Sequence, residues 1–189
     1  MLSEQKVDAE PLAQIVKRCQ RESGFQGKSD SAQHELYQAC STDVYNLMVR
    51  MVGVQDAADL AQQVFLQVFR KIEQFDGRSK FKTWLYRLAV NEALQFLRKK
   101  KRIQQELKHE PIDPKPSVVQ TRDAQDMMES ALDRLDPLLK TIFLLKEVEG
   151  MSYKEIADAT NIPEGTVGSR LNRARRELKQ ILTELGWEE

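Results

Sequence analysis

Met151-Ser152-Tyr153-Lys154-Glu155-Ile156-Ala157, then the turn Asn161-Ile162-Pro163-Glu164, then Gly165-Thr166-Val167-Gly168-Ser169-Arg170-Leu171-Asn172-Arg173-Ala174-Arg175, decide how this chain folds. Ser152 can accept a hydrogen bond from the backbone of the residue three positions on, and Glu155 can return one, so the pair predicts a capping box at a helix start. Asn161 tolerates the left-handed conformation that closes many helices, and Pro163 stops the first helix from continuing. Val167, Leu171, Ala174, Leu178 and Ile181 recur at intervals of four and three, the buried stripe of a second helix. Ala157 is small enough for a tight helix crossing. The stretch predicts a helix-turn-helix.

The opposite face of the second helix carries Thr166, Ser169, Arg170, Arg173 and Arg176. An α-helix fits the major groove, where guanidinium forks pair with guanine edges and hydroxyls or amides serve other bases. A basic face alone is often just a solvated surface. Here it starts directly after a short turn and a small crossing residue, which favours DNA binding.

Working outward, helical spacing recurs and strand alternation never persists. Ala57, Leu60, Ala61, Val64, Phe65, Val68, Phe69 and Ile72 define one face of an amphipathic helix from Asp56 to Ile72. Asp76-Gly77 marks a turn, and a further helix through Leu97 is predicted to begin near Thr83 as N-cap. Leu36 to Val52 reads as a helix ending near Gly53, Leu12 to Cys19 as a short one, and Ser23 to Ser31 as a loop. Downstream, helical patterns cover Met127 to Leu135, Leu138 to Val148, Ser152 to Thr160 and Gly165 to Leu185. Between Gln104 and Gln125, Pro111, Pro114 and Pro116 oppose a continuing helix and no apolar period survives. The fold class expected is all-α, two helical domains on a flexible linker, moving independently of one another.

Composition bounds the chemistry. Lys+Arg and Asp+Glu balance at 29 each in 189 residues, so only the distribution of charge is informative. Between Arg78 and Lys108 cations dominate, with Arg98, Lys99, Lys100, Lys101 and Arg102 consecutive, a pattern suited to phosphate contact. Cys19 and Cys40 are too far apart for a CxxC motif, and His34 and His109 lack ligand-like neighbours, so no metal or cofactor is expected. No signal peptide or bilayer-spanning run is read, and a soluble, cytoplasmic protein without membrane insertion is expected. No paired Ser/His and no Gly-rich phosphate loop is present, so an enzyme is not expected.

The residues from Phe143 through Ala157, followed by Gly165 through Arg175, resemble region 4 of the extracytoplasmic-function (ECF) sigma factors, a group of the sigma-70 family. Asp56-Ala57-Ala58-Asp59-Leu60-Ala61-Gln62-Gln63-Val64-Phe65 and Phe81-Lys82-Thr83-Trp84-Leu85-Tyr86-Arg87-Leu88-Ala89-Val90-Asn91 are similar to region 2 of the same family. The resemblance implies a region 2 domain at 31–103 and a region 4 domain at 126–189, with an N-terminal extension at 1–30 and a linker at 104–125. It implies core RNA polymerase and promoter DNA as partners, and an anti-sigma factor as a further one.

Roles follow by position. Asp59, Gln62, Gln63, Leu66 and Gln67 match the face that docks on core polymerase, with Gln63 standing where the family has an acidic residue. Phe75, Arg78, Ser79, Lys80 and Asn91 match the positions that open and read the minus-ten element, where a base leaves the stack for a pocket, and Arg98 and Lys99 join them as candidate phosphate contacts from the run of cations. Trp84 reads as core or as a stacking platform. Ser169, Arg170, Asn172 and Arg173 match the minus-thirty-five readers, Thr166 and Arg176 join them as candidates from the same helix face, and Gly168 replaces the usual Lys or Arg. The alternatives are a polymerase-independent helix-turn-helix regulator with an N-terminal dimerisation or sensing domain, and a helical RNA-binding protein using Arg98 to Arg102.

Overall fold

The computed structural model describes residues 9–22, 30–107 and 124–187, and the regular structure among them is helical. The first half holds α1 (Ala9–Glu22), α2 (Asp30–Val52), α3 (Val54–Lys71), a 3-10 turn (Ile72–Gln74) and α4 (Phe81–Leu107). The second half holds α5 (Ala124–Arg134), α6 (Pro137–Glu147), α7 (Tyr153–Thr160) and α8 (Glu164–Glu184). Gly53 alone separates α2 from α3, and its φ of 92° is a conformation that costs a side chain dearly and glycine little.

Ala57, Leu60, Ala61, Val64, Phe65 and Val68 of α3 are buried, as the intervals of three and four predict. They face Leu36, Val44, Leu47 and Met48 of α2 and Leu85 and Ala89 of α4 in one apolar cluster. Each large side chain so buried contributes about 1.5–3 kcal/mol. α4 starts two residues before the predicted cap: Trp84 N donates to Lys80 O at 3.2 Å, and Thr83 is buried within the first turn. A buried threonine inside the helix cannot cap it. At its other end α4 continues through Leu107, because the Lys, Arg and Gln residues there are good helix formers.

In the second half, Asp136 caps α6 by accepting from Leu138 N at 2.9 Å, with Pro137 at the first helical position where no amide is needed. Ala131, Leu135 and Leu178 join α5 to α8, while Val167, Leu171, Ile156 and Ala157 close the helix pair α7–α8. Lys140 is buried, and its ammonium pairs with Asp133 at 2.7 Å.

The halves are not apart. α7 packs on α4, and α6 packs on both α2 and α4. Ile142, Leu144, Leu145, Met151 and Ile156 belong to the same apolar cluster as Leu36, Met48 and Leu85. The periodicity of either half alone gives no sign of this contact. α4 carries a second buried stripe, Tyr86, Val90 and Ala93, beside the one that patterning detects, so it is covered on more than one face. Of the span expected as linker, 104–107 is helical and α5 already begins at Ala124; 108–123 lies outside the described residues. Likewise α2 begins at Asp30, inside the segment expected as a loop, and 23–29 lies outside the described residues.

Candidate nucleic-acid interface

The loop after α3 is organised by aromatic rings. Phase is set by the 3-10 turn, which closes when Phe75 N donates to Ile72 O at 3.1 Å, after which the chain is extended. The Phe75 ring meets Phe81 edge-on at 5.4 Å and Trp84 at 5.5 Å, and Phe81 and Trp84 lie 5.6 Å apart. Trp84 is half-buried, packs against the core and against Phe75, and is not in the lining of the neighbouring cavity. Asp76 holds the turn by accepting from Arg78 N at 3.1 Å and pairing with its guanidinium at 3.0 Å. From α1, Gln20 Nε2 donates to Ile72 O at 3.0 Å and to Phe75 O at 2.7 Å.

Between α1 and this loop lies a cavity of about 660 Å³, reached by Phe75, Ser79 and Lys80 among the candidate minus-ten residues. Asn91 is not in its lining. It stands exposed on α4, ten residues past Phe81, which is about 15 Å of helix rise. Arg78 is exposed at the loop tip, and Arg98 and Lys99 are exposed farther along α4. The structure therefore separates the residues into a loop group and an α4 group.

Asp59, Gln62, Gln63 and Leu66 project outward from α3, and Leu66 is 50% exposed despite being apolar. Gln67 is half-buried instead: it donates to Glu92 of α4 and accepts from Lys71 Nζ at 3.2 Å. Its amide is occupied in tying α3 to α4. Asp59 and Gln63 share a groove with Glu92 and Lys99, which brings the candidate docking face up against one candidate DNA contact.

The helix-turn-helix forms as its residues dictate. Ser152 and Glu155 make both bonds of the capping box, and Asn161 closes α7 with φ 55° and ψ 44°. These bonds and the Lys80 ammonium, 3.0 Å away, hold the Glu155 carboxyl down at about 2. On α8, Ser169, Asn172, Arg173 and Arg176 are exposed, whereas Thr166 and Arg170 are half-buried. Arg173 pairs with Glu177 at 2.7 Å along the helix, and Arg175 pairs with Glu147 of α6. Gly168 is half-buried, and a Cβ there would lie 3.4 Å from Cε2 of the exposed Tyr153 of α7.

A cluster that sequence reading missed joins the halves. Glu149, with its side chain 10% exposed, accepts from Tyr86 Oη at 2.6 Å and lies 3.6 Å from Lys82 Nζ and 3.8 Å from Arg50. Lys82 also pairs with Asp43 at 3.0 Å. Burial pushes the Tyr86 phenol up, and the Glu149 carboxylate pushes it further. Burial works against the Lys82 ammonium, but Asp43 and Glu149 outweigh it and raise its pKa. Residues 63 positions apart leave no periodic trace, so no signal in the sequence marks the pair. Among the described residues, no group of His, Cys, Asp and Glu is placed to hold a metal, and no helix is long and apolar enough to cross a membrane.

Comparison with known proteins assigns both halves. Residues 36–103 match the family model for Sigma-70 region 2, and residues 125–178 match that for Sigma-70, region 4. The chain is 32% identical over 158 residues to the ECF RNA polymerase sigma factor SigW of Bacillus subtilis, covering 75% of this chain and 84% of that one. It is 34% identical over 157 residues to the ECF RNA polymerase sigma factor SigE of Mycolicibacterium smegmatis, covering 78% of this chain but only 60% of the relative. A co-crystal structure of the sigma factor RpoE with the anti-sigma factor NepR from Bartonella quintana shares the fold, with a TM-score of 0.65 at 22% identity over 79% of this chain and 96% of that one. The protein is a two-domain helical member of the sigma-70 class. More narrowly, it belongs to the ECF RNA polymerase sigma factors.

Proposed function

We propose that this chain docks on core RNA polymerase through the outward face of α3, opens the minus-ten element with the loop after α3 and the basic face of α4, and reads the minus-thirty-five element with α8. What supports this reading is that one chain holds two unlike features suited to DNA. One is a helix-turn-helix shaped for duplex DNA, and the other is an aromatic-walled cavity rimmed by Lys80 and Lys82, shaped for an unstacked base. A regulator acting without polymerase has no use for the second. Exposed Leu66 amid Asp59, Gln62 and Gln63 suits a protein partner, since an isolated apolar residue in a polar face adds contact area without inviting aggregation.

Phe75, Ser79 and Lys80 are assigned to the base that leaves the stack, and Arg78 to the neighbouring phosphates. Asn91, with Arg98 and Lys99, is assigned to the adjoining stretch of the same strand. Thr166, Ser169, Arg170, Asn172, Arg173 and Arg176 are assigned to the duplex. The domain limits are close to those read from the sequence, with α4 carrying the first domain on to Leu107 and α5 opening the second at Ala124, and RNA synthesis itself is left to the polymerase. An anti-sigma partner is proposed from the fold shared with the Bartonella quintana protein, and the bacterial cytoplasm is proposed as the place where core polymerase and promoter meet.

Run-off transcription tests this directly. Specific transcripts are expected when the protein and core polymerase are combined. Specific transcripts unaffected by omitting this protein, or core binding that survives Leu66→Glu with Gln62→Ala undiminished, would count against it.

A further inference from the structure

α1 lies outside residues 36–103, the part that matches the region 2 family model, yet it touches the loop assigned above to the minus-ten element. Its inner face is anchored: Val16 and Cys19 are buried, and Leu12 and Ile15 pack against the core. From this anchored helix a single side-chain amide reaches two backbone carbonyls. Gln20 Nε2 donates to Ile72 O at one end of the 3-10 turn and to Phe75 O at the other. Phe75 O sits where the chain has left the helix and turned extended, so no helical amide is in register to satisfy it. The amide of Gln20 takes that place and fixes the residue whose ring forms one wall of the cavity.

The other wall is α1 itself. Leu12, Ala13 and Val16 face Phe75 and Phe81 across the cavity of about 660 Å³, and Lys17 joins Lys80 and Lys82 in its lining. That volume falls in the range of pockets that enclose small organic groups. Asp76 lines the cavity too, so three cations stand against one carboxylate, and apolar residues on both sides with a net positive lining suit an unstacked base and its phosphate. We infer that α1 is the second wall of the minus-ten base pocket, with Gln20 as the positioning residue that holds Phe75 in place. The occupant is one unstacked nucleobase of single-stranded promoter DNA. The inference rests on the reading of the loop as the minus-ten site.

The test uses the full chain bound to core polymerase and forked promoter DNA carrying 2-aminopurine at one minus-ten position at a time. Three variants are compared with the unaltered protein. Ala13→Trp fills the cavity from an exposed position of α1. Gln20→Glu keeps the shape of the side chain but cannot donate to either carbonyl. Phe75→Ala removes the loop wall. The account expects all three to weaken forked-DNA binding by roughly ten- to hundredfold and to lose the emission change at the same single position. Core binding and binding to a duplex minus-thirty-five element are expected to stay as they were, which a general loss of fold would not allow. If Phe75→Ala loses the signal while Ala13→Trp and Gln20→Glu keep it, the role of α1 is overturned and the loop reading stands. If Phe75→Ala also keeps it, the loop reading fails and the inference fails with it. Should Gln20→Glu destabilise the chain, Ala13→Trp alone decides.

Discussion

Lys80 Nζ stands 3.0 Å from Glu155 Oε1, so the loop of one half is tied to the carboxylate that starts the helix-turn-helix of the other. The same carboxylate accepts from Ser152 N at 2.9 Å and from Ser152 Oγ at 2.8 Å. One side chain thus serves a helix cap and an interdomain ion pair together.

A pH dependence follows. The bonds from Ser152 and the Lys80 ammonium hold Glu155 at about 2 against an ordinary value of 4.5. Because the folded state favours the charged form, its stabilising contribution is complete above pH 4.5 and fades as the pH falls toward 2. Thermal unfolding followed between pH 7 and pH 3 should show this loss, and Glu155→Gln should flatten it. Ser152→Ala should cost about 0.5–2 kcal/mol at neutral pH, the usual range for a lost cap.

Glu149 provides a second handle on the same interface. Replacing it with Gln keeps the shape but removes the charge that Lys82 and Arg50 face, and it weakens the bond from Tyr86. Hydrogen bonds to charged groups contribute roughly 1.5–3 kcal/mol. Small-angle scattering of Glu149→Gln should show a larger radius of gyration than that of the unaltered chain, while helix content stays constant. An unchanged radius would mean that the apolar contacts of Ile142, Leu144 and Leu145 suffice alone.

Gly168 yields a stability prediction. A Cβ would meet Tyr153 Cε2 at 3.4 Å, an ordinary contact with a ring edge, and nothing in the backbone there demands glycine. Gly168→Ala should therefore stabilise the protein by about 0.5–1 kcal/mol, raising Tm by roughly 1–4 °C. A fall in Tm would show that Tyr153 packs against α8 more tightly than this geometry implies.

Asn91 is exposed on α4, so its truncation should leave the fold intact. If it contacts a base edge, Asn91→Ala should slow open-complex formation by about ten- to hundredfold, the scale of one such contact. Core binding serves as the control. Unaltered melting by the variant would return Asn91 to the solvated surface.

Much of this was legible because it is local. The capping box needs only Ser152 and Glu155, the left-handed stop needs only Asn161, and the α3 face needs only the recurrence from Ala57 to Val68. The illegible parts are contacts between distant segments. Nothing in the sequence near Gln20 points to the carbonyls of Ile72 and Phe75, since a backbone acceptor has no residue signature. Tyr86 and Glu149 both lie within motifs that were read, but as members of separate domains, so their meeting required the packing of α4 against the second half. Thr83 shows the opposite failure. A good capping residue by type is buried by tertiary contacts, and the helix begins before it.

As a sigma factor, this protein is expected to give core polymerase its promoter and to open it. Permanganate reactivity of thymines across a target promoter measures that step without relying on transcript synthesis. With core polymerase and this protein together, reactive thymines should be confined to the minus-ten region and the start site, and each component alone should leave the duplex unreactive. Thymines that stay protected with both present, while the free chain alone occupies the intact duplex with full specificity, would contradict it.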